Sequence, residues 1–340
     1  MNKFSTGINF AYDKYEEFVN LFDHSRTDNS IGAFFEYTYD NTSNFSVILG
    51  GRFDNHNRIG TFFTPRLHVR YNPWEKGVFR LSAGRGIRSA NIFAENQQLF
   101  GSSRNFEILN LNGKIYGLNP EIAWNYGLSF SQKFILLNKN GDFGFDFYRT
   151  DFQNQVVVDL YQGPQQVVFY NLNGKSFANS LQIEFNYELA KHFNLRTAYK
   201  YYDIQTAYQY VTQERPLQAK HRFFGNLEFQ THLLDDGKQW KFDFTLNWLG
   251  KQRLPNTISN SGIDSMPDYS PSFSVMNMQI TRIFSSIFEV YVGGENIGNY
   301  KQEKAILGSS NPFGSSFDTS IIYAPIFGQM YYAGLRFKIK

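Results

Sequence analysis

The chain has 340 residues, with 33 basic and 30 acidic side chains interspersed to a net charge of +3, 36 Phe, 22 Tyr and no cysteine. Evenly mixed charge lacks the clustered basic face that nucleic acid requires, and the missing thiols exclude disulfides, thiolate metal sites and cysteine nucleophiles. No run approaches the ~18 apolar residues of a spanning helix, whereas a membrane-crossing strand needs only about 9–11, alternately apolar and polar.

Met1-Asn2-Lys3-Phe4 runs straight into strand-like sequence, without the apolar stretch and cleavage site of a secretion signal. Fourteen strands are predicted: 2–12, 28–40, 44–54, 62–72, 77–87, 121–135, 141–158, 174–190, 192–206, 217–232, 238–250, 272–283, 286–295 and 326–339. Short connections rich in Asn, Asp, Gly, Pro and Lys fall at 41–43, 72–76, 136–140, 191, 233–237 and 284–285, as turn chemistry requires. Long ones fall at 13–27, 55–61, 88–120, 159–173, 207–216, 251–271 and 296–325. Short and long alternate along the whole chain.

Within each strand the faces differ, because successive side chains point to opposite sides. Phe143, Phe145 and Phe147 share one face, while Asp146 and Tyr148 lie on the other. Trp124, Tyr126, Leu128 and Phe130 oppose Asn125, Gly127, Ser129 and Ser131; Leu181, Ile183, Phe185 and Tyr187 oppose Gln182, Glu184 and Asn186. Phe242, Phe244, Leu246 and Trp248 repeat the pattern, and Leu67, Val69 and Tyr71 face away from Arg66, His68 and Arg70. Tyr71, Trp74, Trp124, Tyr187, Trp240 and Trp248 sit near strand ends, where amphipathic rings favour a membrane interface. A soluble sandwich or propeller alternates too, but its strands centre on about five or six residues and it offers no wet interior for the polar face. The pattern therefore predicts an all-β fold, an antiparallel transmembrane β-barrel of about fourteen meandering strands.

Several segments resemble the C-terminal barrel of TonB-dependent outer-membrane receptors of a Bacteroidetes-like kind. They are Gly51-Arg52-Phe53-Asp54, Phe63-Thr64-Pro65-Arg66-Leu67, Tyr71-Asn72-Pro73 and Phe79 to Gly84, continuing through Arg85-Gly86-Ile87-Arg88-Ser89-Ala90-Asn91-Ile92. Leu118-Asn119-Pro120-Glu121, Phe147-Tyr148-Arg149-Thr150-Asp151-Phe152, Asn171-Leu172-Asn173-Gly174-Lys175 and Gly294-Glu295-Asn296-Ile297 follow in the family's order. The final strand, with Tyr331, Ala333, Leu335, Phe337 and Ile339 on one face, is similar to the insertion signal read by the barrel-assembly machinery. It departs by ending in Lys338-Ile339-Lys340 rather than an aromatic residue.

The resemblance implies an outer-membrane importer of a scarce solute: a siderophore, cobalamin, a glycan or a peptide. Family members carry a plug domain, a TonB-contacting segment and about 22 strands, a size this architecture allows. Residues 1–340 then correspond to a single barrel domain holding the last fourteen strands, with neither plug nor signal peptide. Such a chain reaches the TonB complex only through a plug, is inactive in energised uptake alone, and has unpaired edges. Outer-membrane lipid and a small solute are the other partners implied. Two rival readings are a complete fourteen-stranded passive channel of porin or fatty-acid type, with 2–12 paired to 329–338, and a soluble β-rich binding module.

Enzymatic signals are poor. Six scattered histidines show no metal-ligand spacing, and neither a Gly-x-Ser-x-Gly elbow nor a phosphate-cradling loop occurs. No cofactor, metal or catalytic residue is expected. Interior carboxylates Asp146, Glu184, Glu228 and Asp243 are expected to pair with Arg66, Arg80 and Arg222 or to contact a plug. The ligand-binding candidates lie in the longest loop: Arg88, Asn91, Phe93, Glu95, Gln97, Phe100, Arg104 and Tyr116 combine aromatic contact area with planar arginine donors. Loop 251–271, with Arg253, Asn256, Asp264 and Tyr269, is a weaker second candidate.

Overall fold

Strands with one apolar and one polar face must either pack two sheets together or curve into a wall whose faces meet different solvents. The computed structural model, which describes residues 1–339 apart from 20, 110–111, 210, 235–236, 258–264 and 313, shows the second solution. Its strands are β1 (Asn2–Tyr15), a small hairpin of β2 (Phe18–Val19) and β3 (Phe22–Asp23), β4 (Arg26–Asp40), β5 (Phe45–His56), β6 (Gly60–Trp74) and β7 (Gly77–Arg88). There follow β8 (Asn105–Ile108), β9 (Glu121–Leu136), β10 (Lys139–Asn154), β11 (Val156–Asp159), β12 (Gln166–Asn171), β13 (Ser176–Ala190) and β14 (Phe193–Ala207). The last are β15 (Thr212–Glu214), β16 (His221–Gln230), β17 (Gln239–Leu249), β18 (Phe273–Ile283), β19 (Phe288–Glu295) and β20 (Met330–Phe337). All fourteen predicted strands are present and form one antiparallel sheet in chain order, from β1 and β4 through to β19 and β20, with β15 added beside β14. Among the described residues β1 pairs only with β4 and β20 only with β19, so the pairing of 2–12 with 329–338 that a closed fourteen-stranded channel requires is not made.

Turns at one end are tight for local reasons. Asn41 Oδ1 accepts the backbone N–H groups of Ser43, Asn44 and Phe45 at 2.9–3.0 Å, closing β4–β5. Leu137 and Asn138 both have positive φ, 49° and 58°, the signature of a type I′ hairpin between β9 and β10. Leucine is a poor occupant of that region, so Leu137→Asn should stabilise the protein by about 0.5–1 kcal/mol. Thermal unfolding in detergent would show no gain if tertiary contacts held the turn instead.

Several connections differ from expectation. Segment 55–61 is no excursion: β5 and β6 meet through a turn at 57–59. Strand 141–158 breaks at a register shift between Phe152 and Asn154, and Val156–Asp159 leaves the wall for another sheet. The expected loops at 88–120 and 159–173 hold β8, β12 and a 3₁₀ helix, Ala94–Gly101. The long excursions nevertheless share one end of the wall, here called the crown.

Burial inverts the soluble pattern. Every buried apolar residue among those described lies in the crown or at the strand ends that enter it. On the wall Ile8 is 79% and Phe10 70% exposed, whereas Gly7, Asn9 and Ala11 between them are less so. Phe143, Phe145, Phe185 and Phe244 are partly exposed rather than gathered in a core. Register aligns Leu81, Leu128, Phe147 and Leu181 as one outward row across β7, β9, β10 and β13. Below it, at the tight-turn end, rings meet around the wall: Tyr39–Phe45–Tyr71, Trp74–Phe79–Phe130, Phe134–Phe185, Phe193–Phe229–Phe242–Trp240 and Phe284–Phe288–Phe337. An apolar belt edged by aromatic rings is what a bilayer selects.

Candidate functional site in the crown and interior

The crown is built on a three-stranded sheet, β11–β12–β8, with β8 parallel to β12. One side of this sheet packs Val156, Val167 and Phe169 against Ile92, Phe93, Leu99 and Leu118 of the loop before β9. The other packs Val157, Val168, Tyr170 and Tyr208. Asp159, fully buried, ties its edge together: its carboxylate accepts the Tyr170 hydroxyl, the Tyr161 N–H and the Gln162 amide, each at 2.8 Å. A buried carboxylate needs that many donors to offset its lost hydration.

Burial pushes the phenols of Tyr116, Tyr161, Tyr170 and Tyr208 above the ordinary tyrosine value of 10.0, with Glu17 adding to the rise at Tyr116 and Asp159 at Tyr170. A raised value favours the neutral phenol in the folded crown. The stabilisation is therefore complete below pH 10.0 and is lost as pH climbs through the folded values. Spectrophotometric titration should show these phenols ionising later than exposed ones, in step with crown opening. Simultaneous ionisation of every tyrosine near the ordinary value would contradict it.

Beneath the crown, facing the interior, lies a cavity of about 490 Å³ lined by Arg88, Glu95, Gln98, Leu99, Glu121, Gln155, Tyr208, Arg215, Leu217 and Gln218 among others. Arg88 stands at the end of β7, not within the loop; it donates to both oxygens of Glu95 at 2.8 and 3.0 Å and approaches Glu121 at 2.6 Å. Two carboxylates thus occupy its planar donor edge, leaving the cavity close to charge-balanced. Neutral amides supply much of the remaining polar lining.

The other predicted candidates separate. Phe100 is exposed. Phe93 is buried, its ring against those of His24, Tyr116 and Phe169. Asn91 accepts from Arg26, and Tyr116, at a positive φ of 52°, accepts from Arg26 at 2.9 Å and donates to Glu17. Arg26 is itself sandwiched between the Tyr15 and Tyr116 rings, 4.0 and 4.8 Å from their centroids. Arg104 is buried, ion-paired with Asp318. Arg88 and Glu95 alone of the loop candidates therefore line the cavity, while the rest of the set builds the crown. In the second loop Arg253 packs over Tyr161 and Tyr269 and pairs with Asp268; Asp264 lies outside the described residues.

The interior carboxylates do not pair as expected. Arg66 binds Glu36, and Arg222 lies over the Tyr202 ring. Asp146 accepts from Ser129, Glu184 from Gln182, Glu228 from Gln230 and Asp243 from Asn226. Neighbouring amides and hydroxyls satisfy them, because strand register sets these short-range partners before any charge across the interior can. Tyr331, Leu335 and Phe337 stand exposed on the outward face of β20. No local sequence pattern marks Asp159, Arg26 or Asp318, and the partners of the last two lie up to 90 and 214 positions away.

The TonB dependent receptor-like, beta-barrel family matches residues 2–297. Among solved structures, a mutant of the ferric enterobactin receptor of Pseudomonas aeruginosa superposes with a TM-score of 0.69 at 14% identity, covering 99% of this chain and 51% of that one. The siderophore receptor PirA of Acinetobacter baumannii gives 0.68 at 14% identity, covering 99% and 52%. The copper transporter OprC gives 0.69 at 13%, covering 99% and 54%. The likeness to these structures is one of fold, and the chain spans about half their length. No curated protein sequence matches.

Proposed function

Since the chain belongs to the TonB dependent receptor-like, beta-barrel family, a family of outer-membrane transporters and receptors, we propose that it forms the wall and crown through which a scarce solute enters the cell. The observation that carries this is the inverted burial: apolar side chains stand outward and exposed, while Asp, Glu, Arg, Asn and Ser line the interior. The single-sided pairing of β1 and β20 supports completion of the barrel by further strands. In that arrangement the polar interior takes a plug, and the plug, not this wall, meets the TonB complex. The outward Tyr331, Leu335 and Phe337 then serve as the signal for the barrel-assembly machinery, and the belt meets outer-membrane lipid.

The solute belongs to the siderophore, cobalamin, glycan or peptide class. The names of two of the similar receptors, for ferric enterobactin and for siderophores, support a metal chelate within that range. Arg88 and Glu95, at the inner cavity, with exposed Phe100 in the crown, are the contact residues proposed. Directional uptake needs a two-state element that the ligand biases.

The test is uptake of labelled solutes of each class by cells with and without the gene, with and without an uncoupler, alongside membrane fractionation. Uncoupler-sensitive uptake lost on deletion, with the protein in the outer-membrane fraction, is expected. Steady conductance of the purified chain in planar bilayers would replace the receptor by a passive channel. A monodisperse protein in detergent-free buffer would remove the membrane role altogether.

A further inference from the structure

The segment between β19 and β20 has almost no ladder of its own, yet it reaches far from its roots. Its start is fixed by Asn296, whose amide donates to Tyr300 and Phe327 carbonyls at 2.7 and 3.2 Å. From there it meets the loop after β7, eight strands away along the sheet. Thr319 N–H donates to Gly101 O and Ser103 N–H to Phe317 O, both at 2.9 Å, and Asp318 bridges to Ser102. Leu307 and Ile321 of the same segment pack with Leu254 and Leu217. Leu99, two residues before Gly101, and Leu217 both line the interior cavity. The segment therefore ties together two elements of that cavity's lining, the loop that carries Leu99 and the stretch that carries Leu217.

One buried ion pair holds the junction. Arg104 Nε donates to Asp318 Oδ2 at 2.9 Å with side chains only 1% and 5% exposed. Arg104 Nη1 also donates to the carbonyls of Gly163 and Gln166 at 3.2 and 3.1 Å, bringing in the loop between β11 and β12. Asp318 Oδ1 accepts the Ser320 N–H and hydroxyl at 2.7 and 2.6 Å. Nη2 of Arg104, however, is buried without a hydrogen-bond partner. A desolvated charge left partly unsatisfied makes closure of the junction less favourable than its bond count suggests. A contact that is specific, long-range and incompletely satisfied suits a closure that must also release.

We propose that residues 301–312 and 314–325 form a strap that ties two elements of the interior cavity's lining together, and that the Arg104–Asp318 pair is the clasp that holds the cavity shut against entry from the crown side. The proposal rests on the receptor reading only for the direction of entry; the strap and its clasp stand on geometry alone. Release of the pair frees the strap from the loop after β7 and opens the cavity between Leu99 and Leu217.

The test uses the cysteine-free background. Gln98→Cys places a thiol on the cavity lining, and its reaction with a polymer-linked, membrane-impermeant maleimide is followed in whole cells. Asp318→Asn should speed that labelling by roughly a hundredfold or more, as expected for breaking one partner of a buried pair, and Arg104→Gln should do the same. Hydrogen exchange on the purified protein guards against misfolding. With Asp318→Asn, exchange should quicken together in peptides covering 99–106, 163–168 and 314–322 and stay unchanged in 141–150 of the wall. Labelling rates that neither substitution moves, with exchange changed only locally at 318, would overturn the clasp. Accelerated exchange in 141–150 would overturn it too, by making the pair a support of the whole fold. Uptake assays enter neither outcome, so the strap can fail while the receptor reading stands, and the reverse.

Discussion

Leu128→Arg should remove about 2–4 kcal/mol of folding free energy in a bilayer, the cost of a cation on the lipid face near mid-depth. Leu128 sits on the outward row between Leu81 and Phe147, so the new guanidinium would have apolar neighbours on both flanks and no carboxylate within register. Ser131→Arg, three residues along β9 and on the opposite face beside Gly144, should cost less than about 1 kcal/mol, since that face meets water or polar partners. The readout is the yield of heat-resistant folded species in outer membranes, backed by urea unfolding in phosphatidylcholine vesicles. If the serine site proved the sensitive one, the wall would be inside out and the receptor assignment would fall. Stability loss at both sites would instead indicate a soluble core on each face.

Asp159→Ala should open the crown while sparing the wall. The substitution leaves the hydroxyl of buried Tyr170 without its acceptor and takes one acceptor from the Tyr161 N–H and the Gln162 amide, both on half-buried residues. At about 1–3 kcal/mol for the unsatisfied buried phenol, with smaller losses at the two half-buried donors, the local loss should reach roughly 2–4 kcal/mol. The three-stranded sheet contains strands of only four to six residues, too little to absorb that. Limited proteolysis should then cut between 155 and 175 within minutes, with the wall ladder still protected, because local opening is governed by local contacts. Asp159→Asn, which keeps one acceptor oxygen, should fall between wild type and alanine. A wall that unfolds together with the crown would show that the two are one cooperative unit.

The wall and the crown were legible to different degrees, and for a physical reason. Alternation is a local property: a strand such as Leu181–Tyr187 declares its two faces within seven residues, whatever its neighbours are. Turn chemistry at Asn41 and Asn138 is equally local, so strand order, antiparallel pairing and the outward belt all followed from sequence alone. The crown follows a different logic. Segment 156–158 reads as a continuation of the strand before it, and only a register shift and the competing β12 draw it away. Arg104 reads as a solvated binding residue until Asp318, 214 positions on, is brought against it. Periodicity along the chain thus determined which side of each strand is apolar and turned outward. What the loops bury, which arginines are already committed, and where a cavity remains were decided by contacts between segments remote in sequence, whose energies no short window of residues records.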